Sequence, residues 1–130
     1  MSRITSHQIV SGTKRDIEAR TFEFAVRIVK MAKVFPRDVV PQVVIRQLTR
    51  SGTSVGANVE EGQGSHSRAE FIRRIGIARS EASEALYWLR LCQAAELAPG
   101  AKLSAIITEA NEIVSVLTAI VKNARSASRE

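Results

Sequence analysis

Residues 48–64 read LTRSGTSVGANVEEGQG, and whether they form a helix or a turn decides the fold. Their Ser, Thr, Gly and Asn content favours a turn, because each glycine inside a helix costs about 1 kcal/mol relative to alanine. Yet Val44, Leu48, Ser51, Val55, Val59 and Gly62 recur at steps of three and four, the period of one helix face. Local propensity balances the two readings, a turn at residues 50–54 against an unbroken helix. In the helical reading Gly52 and Gly56 have a packing role. Four residues apart and thinned by Ser51, Ser54 and Ala57, they allow a neighbouring backbone to come close. A stretch that works against its own propensity has a tertiary cause, here packing and assembly rather than catalysis.

On the N-terminal side, Ile17, Phe24, Ala25, Ile28, Met31, Ala32 and Phe35 mark an amphipathic helix over residues 14–35. At about 100° per residue, Arg20, Arg27, Lys30, Lys33 and Arg37 fall on its other side. Pro36 ends this helix and Pro41 suits the first turn of the next. On the C-terminal side, residues 62–66 read as a loop. Ser67 and Glu70 match a capping box that opens a third helix to about residue 95. Its stripe is Phe71, Ile75, Ala78, Ala82, Ala85, Leu86, Leu89 and Cys92, with Ile77, Trp88 and Leu91 off it. A helix apolar on more than one side is central or buried against another subunit, so these three are candidate oligomer contacts. Pro99 and Gly100 punctuate the next link. A last helix over 101–124 carries Leu103, Ile106, Ile107, Ala110, Val114, Leu117, Val121 and Ala124, with Ile113 and Ile120 beside them. No strand-like alternation occurs. The pattern predicts an all-α, antiparallel, up-down-up-down four-helix bundle over residues 14–126, after a flexible arm (1–13) and before a frayed tail (127–130).

A chain of 130 residues suits one domain. One cysteine permits no internal disulfide. No uninterrupted apolar run spans a bilayer and the first residues do not read as a secretory leader, so the expectation is a cytoplasmic protein without a membrane partner. Charge is unevenly spread. The first fifty residues hold ten Lys and Arg against four Asp and Glu, whereas the rest holds nine of each. That bias favours a polyanionic partner, RNA or DNA, with Arg20, Arg27, Lys30, Lys33, Arg37, Arg46 and Arg50 as candidate contacts.

No constellation for catalysis emerges. Ser54, Asn58 and Glu61 share a helix face but read as a hydrogen-bond network fixing register. Glu81, Glu84, Glu109 and Glu112 lack the histidines that a di-iron bundle places three residues after its glutamates. Gly62 and Gly64 precede a helix without the Lys and Ser or Thr of a P-loop, and suit a sharp turn. Cys92 lies on the apolar stripe as a small core residue. Tyr87 and Trp88 are adjacent and point apart, so they form no stacking platform; Trp88 serves better as a packing anchor. The expectation is a non-enzymatic protein without metal or cofactor.

Taken together, SGTSVGANVEEGQG, SRAEFIRRIGIA, YWLRL and EANEIVSVLTAIVKNA resemble the small bacterial four-helix-bundle family related to proteins encoded in 23S rRNA intervening sequences. Accessory proteins of diversity-generating retroelements are relatives of the same kind. The resemblance covers roughly residues 20–125. It implies a helix through residues 51–61 and a homo-oligomer, a ring of five in characterised relatives. It also implies association with nucleic acid, or a structural adaptor ring that recruits a protein partner. Gly56 and Ser65 depart from the commoner pattern, which has proline and arginine there.

Overall fold

The computed structural model describes residues 11–99 and 101–129. They form four α-helices: α1 (Ser11–Lys33), α2 (Val39–Gln63), α3 (Arg68–Ala94) and α4 (Ser104–Arg129). No strand occurs among the described residues. α1 takes in residues 11–13, read above as arm, and α4 continues through 127–129, read as tail. Helix ends are the least certain part of any pattern reading. Residues 1–10, Gly100 and Glu130 lie outside the described residues, and with them the rest of the arm, including His7.

The disputed stretch is helix throughout. Val44, Leu48, Ser51, Val55, Val59 and Gly62 are all buried, so the whole predicted stripe faces the core. Gly62 and Gln63, read above as the start of a loop, are the last two residues of α2, and a Cβ on Gly62 would sit 3.2 Å from Ile75 Cδ1 and 3.3 Å from Arg74 Cβ. Gly64 caps the helix instead.

The glycines explain how α2 lies against α1. A Cβ on Gly52 would stand 3.1 Å from Ile28 Cγ1, and one on Gly56 would stand 3.2 Å from the Thr21 carbonyl oxygen. Thr21 is buried at this crossing and satisfies its hydroxyl by donating to the Ile17 carbonyl at 2.7 Å. Ile28 opposite Gly52 and Thr21 opposite Gly56 fix an antiparallel register. α2 and α3 are antiparallel too, because Arg50 reaches Glu81 and Glu84 while Asn58 reaches Arg74.

On α1 the inward residues are Ile17, Thr21, Phe24 and Ile28, and Phe35 is buried just beyond the helix. α3 contributes Ile75, Ala78, Ala82, Ala85, Leu89 and Cys92, the predicted line, with Phe71 and Leu86 half-buried at its edge. α4 is rotated slightly from the reading above. Ile113 and Ile120 are buried, whereas Ile107 and Val114 are only partly covered. α4 is also long and apolar enough, by length and composition, to cross a membrane: an 18-residue window within residues 104–127 has a mean hydropathy of 1.5. Its apolar side is occupied by the bundle core, while Thr108, Asn111, Glu112, Ser115 and Thr118 line the outside.

Ser67 accepts a hydrogen bond from the Glu70 N–H at 3.1 Å and so caps α3. The reciprocal half of the capping box is absent, because the Glu70 carboxylate binds Arg73 and Arg74. α3 ends in a Schellman turn. The Leu97 N–H donates to the Cys92 carbonyl at 3.0 Å, and Glu96 adopts φ 53° in the position that favours glycine.

Candidate functional site

The polar residues of the structure fall into two seams and one open surface. Along the α2–α3 seam, Arg50 pairs with Glu81 at 3.3 Å and with Glu84. Glu84 also accepts from Trp88 Nε1 at 3.0 Å. Two turns further along, Asn58 Nδ2 donates to the Ser54 carbonyl at 2.9 Å and to the Ser54 hydroxyl at 3.1 Å. Asn58 Oδ1 accepts from Arg74 Nη1 at 3.2 Å. The Ser54–Asn58 pairing expected from sequence is therefore present, and it is extended by Arg74 across the seam. Glu61 does not join it and points to solvent.

Across α1 and α4, Arg20 Nε and Nη2 donate to the two oxygens of Glu109 at 3.0 and 2.9 Å, and Nη2 also reaches Glu112 at 2.8 Å. This fork matches the geometry of a carboxylate and gives a directional pair. The Arg20 hydrogen bond holds the Glu109 carboxyl below its ordinary range, against the opposing effect of burial, and Arg27 adds a weaker attraction. Glu84 is lowered likewise, first by Arg50 and then by Trp88. These carboxylates have structural partners. Among the described residues no group of three or more His, Cys, Asp and Glu could hold a metal ion. Cys92 is buried, and burial pushes its thiol up, away from the reactive thiolate.

The seven basic residues expected to meet phosphate thus divide. Arg20 and Arg50 are engaged with carboxylates on neighbouring helices. Arg27, Lys30, Lys33, Arg37 and Arg46 are exposed. The α1–α2 register brings Arg46 level with Lys33 beside the turn that carries Arg37. Lys30, Lys33, Arg37 and Arg46 make no ion pair among the described residues.

Ile77, Trp88 and Leu91 are each half-buried. Trp88 and Leu91 pack against their own core. The Tyr87 ring meets Trp88 edge-on, with centroids 5.1 Å apart and planes at 75°. The rings touch, contrary to the expectation that they point apart, but present no shared flat face.

The exposed apolar surface lies elsewhere. Phe22, Val29, Val34, Val39, Val40 and Val43 are exposed, and all six belong to the α1–α2 hairpin; Tyr87 is the remaining large exposed apolar residue among those described. The sequence carried a signal for this. Ala19, Phe22, Val26 and Val29 step at three, four and three along α1, a second apolar line besides the one that faces the core.

A comparison with curated proteins gives no match. Among solved structures, one with TM-score 0.77 and 37% identity covers 84% of this chain and 97% of its own. It is a protein of unknown function from the S23 ribosomal protein family of Bacteroides thetaiotaomicron. The pattern of the family described as 23S rRNA-intervening sequence protein matches residues 13–119. With the four-helix bundle and its glycine-thinned second helix, that match places the chain in the 23S rRNA-intervening sequence protein family.

Proposed function

We propose that this protein is a non-enzymatic, self-associating bundle of the cytoplasm that binds RNA or DNA through the turn end of its α1–α2 hairpin. The observation that carries the reading is the group Lys30, Lys33, Arg37 and Arg46, exposed and without an ion pair among the described residues. Side chains held by carboxylates, such as Arg20 and Arg50, would have to give up their partners to meet phosphate; these four would not. Phosphate contacts of this kind ignore sequence and weaken steeply with salt. Several copies acting together strengthen a modest patch, which is what the ring of five implied by the family resemblance would supply.

Fluorescence anisotropy with labelled RNA and DNA over a salt series tests it. Binding should weaken as salt rises, and the triple variant K33E/R37E/R46E should lose it while keeping its helical circular-dichroism spectrum. Absence of binding at low salt, or binding indifferent to salt, sinks the reading. The apolar surface of the same hairpin supports a second reading, an adaptor ring that recruits a protein. A stoichiometric complex with one protein that survives nuclease treatment and K33E/R37E/R46E would favour that one.

A further inference from the structure

The α1–α2 turn carries exposed apolar side chains among its cations. From Phe24 to Val59 the chain holds Arg27, Lys30, Lys33, Arg37, Arg46 and Arg50 against a single acid, Asp38. Within that span Val34 is 82% exposed, Val39 78% and Val43 52%. The turn that presents them is pinned. Phe35 is buried and its N–H donates to the Ala32 carbonyl at 3.3 Å, while Gln42 Nε2 donates to the Pro36 carbonyl at 2.8 Å. Val34 and Val39 lie on either side of this anchor and face water. Val34 comes four residues after Lys30, and Val39, Val43 and Arg46 fall on one line of α2 at about 100° per residue. Cation and apolar side chain therefore alternate from α1 through the turn and into α2.

A partner that covers this surface must be anionic and apolar at neighbouring points. A duplex shows mainly the first property, because its bases are stacked inside. The major groove of B-DNA, about 12 Å wide, admits one helix, and that of A-form RNA is narrower still. The hairpin presents two helices side by side, each about 10 Å across with its side chains. Its valines would then meet phosphate rather than base edges. An anionic bilayer has both properties, but in layers, with headgroups above acyl chains. Arg37 and Asp38 stand between Val34 and Val39, so sinking the valines would carry a cation and an acid down with them. A single strand offers phosphate and unstacked base by turns along one chain, the order in which this surface presents its cations and valines. Guanidinium planes such as those of Arg37 and Arg46 can also stack on splayed bases.

We infer that the turn end takes unpaired, single-stranded nucleic acid in preference to duplex, with Lys30, Lys33, Arg37 and Arg46 on phosphates and Val34, Val39 and Val43 against base faces. This rests on the nucleic-acid reading above and narrows its substrate class. No aromatic side chain is exposed at the turn, since Phe35 is buried, so the hold on each base is modest and tolerant of sequence.

Fluorescence anisotropy tests it with a labelled oligouridylate and a labelled RNA duplex of equal phosphate count, each titrated from low to molar salt. At physiological salt the single strand should bind about tenfold tighter. It should also keep measurable affinity at salt where the duplex has none, because apolar contact is not screened as phosphate contact is. V34S/V39S/V43S should abolish that advantage and leave duplex affinity, the salt slope and helical circular dichroism unchanged, since all three valines are exposed in the bundle. V43Y should widen the advantage by adding a stacking ring. Failure of both ligands to bind at low salt overturns this inference together with the reading it rests on. Duplex binding as tight as single-strand binding at every salt, or an advantage that V34S/V39S/V43S leaves intact, overturns this inference alone. So does a triple variant that keeps the single strand but loses phosphatidylserine vesicles bound by the wild type, since the valines then serve a lipid surface.

Discussion

α2 meets its two neighbours by opposite means. Toward α1 it offers Gly52 and Gly56, and the partner atoms are Ile28 and the Thr21 backbone, so closeness of approach holds that side together. Toward α3, beyond the close contact of Gly62 with Ile75, it offers Arg50 and Asn58, which meet Glu81, Glu84 and Arg74 through polar bonds at partly exposed positions. The glycine side is buried and sets distance; the polar side is half-wet and sets register. Tight apolar contact is unforgiving because the interior is close-packed, whereas surface ion pairs contribute little each. The two sides of one helix should therefore respond very differently to substitution.

The largest effect is expected at Gly56. Gly56→Val adds branched bulk where even a Cβ stands 3.2 Å from a backbone oxygen, and should cost about 3 kcal/mol in urea unfolding. Gly52→Ala sharpens the point. Its new methyl meets the movable Ile28 side chain and gains helix propensity, so stability should stay within about 1 kcal/mol of wild type. Equal losses at both sites would break the comparison.

On the polar side, Asn58→Ala should cost about 1 kcal/mol by removing the bonds to Ser54 and Arg74, again read from urea midpoints. Gly76 on α3 is a control, because nothing lies within 4 Å of a Cβ added there. Gly76→Ala should raise stability by about 0.8 kcal/mol through propensity alone. A loss instead would mean that another chain packs on that face.

The smallest effect concerns acid. The Arg20 bond holds the folded Glu109 carboxyl below its ordinary value of 4.5. An acid whose value falls on folding contributes stability above its unfolded value and loses it as pH drops through the folded one. Thermal midpoints should therefore decline as pH falls below about 4.5, and Glu109→Gln should flatten that decline while lowering the midpoint slightly at neutral pH. An unchanged acid limb in Glu109→Gln would show that Arg20 and Glu109 do not pair in solution.

Four helices and their inward stripes were legible because burial imposes a period, and Val44 through Val59 keep it despite two glycines. Gly62 fitted both the helix stripe and the following loop because glycine signals either equally well; only Ile75 approaching from α3 separates them. The Ser54–Asn58 pair could be seen, since it lies within one turn. Arg74, sixteen residues from Asn58 in sequence, could not. For the basic cluster, sequence supplied the sign and the half of the chain. It could not separate Arg20 and Arg50, which are held by acids from other helices, from Lys33, Arg37 and Arg46.

The order of residues by itself determined that this chain coils, how many coils it forms and, for the most part, which side of each is greasy, because these follow from backbone sterics and periodic burial within short windows. Which polar groups find one another, and which greasy side is left facing water, depend on how distant segments are brought together. The outward line on α1 was written in the sequence all along, but only the packed bundle shows that no other helix of the described chain covers it.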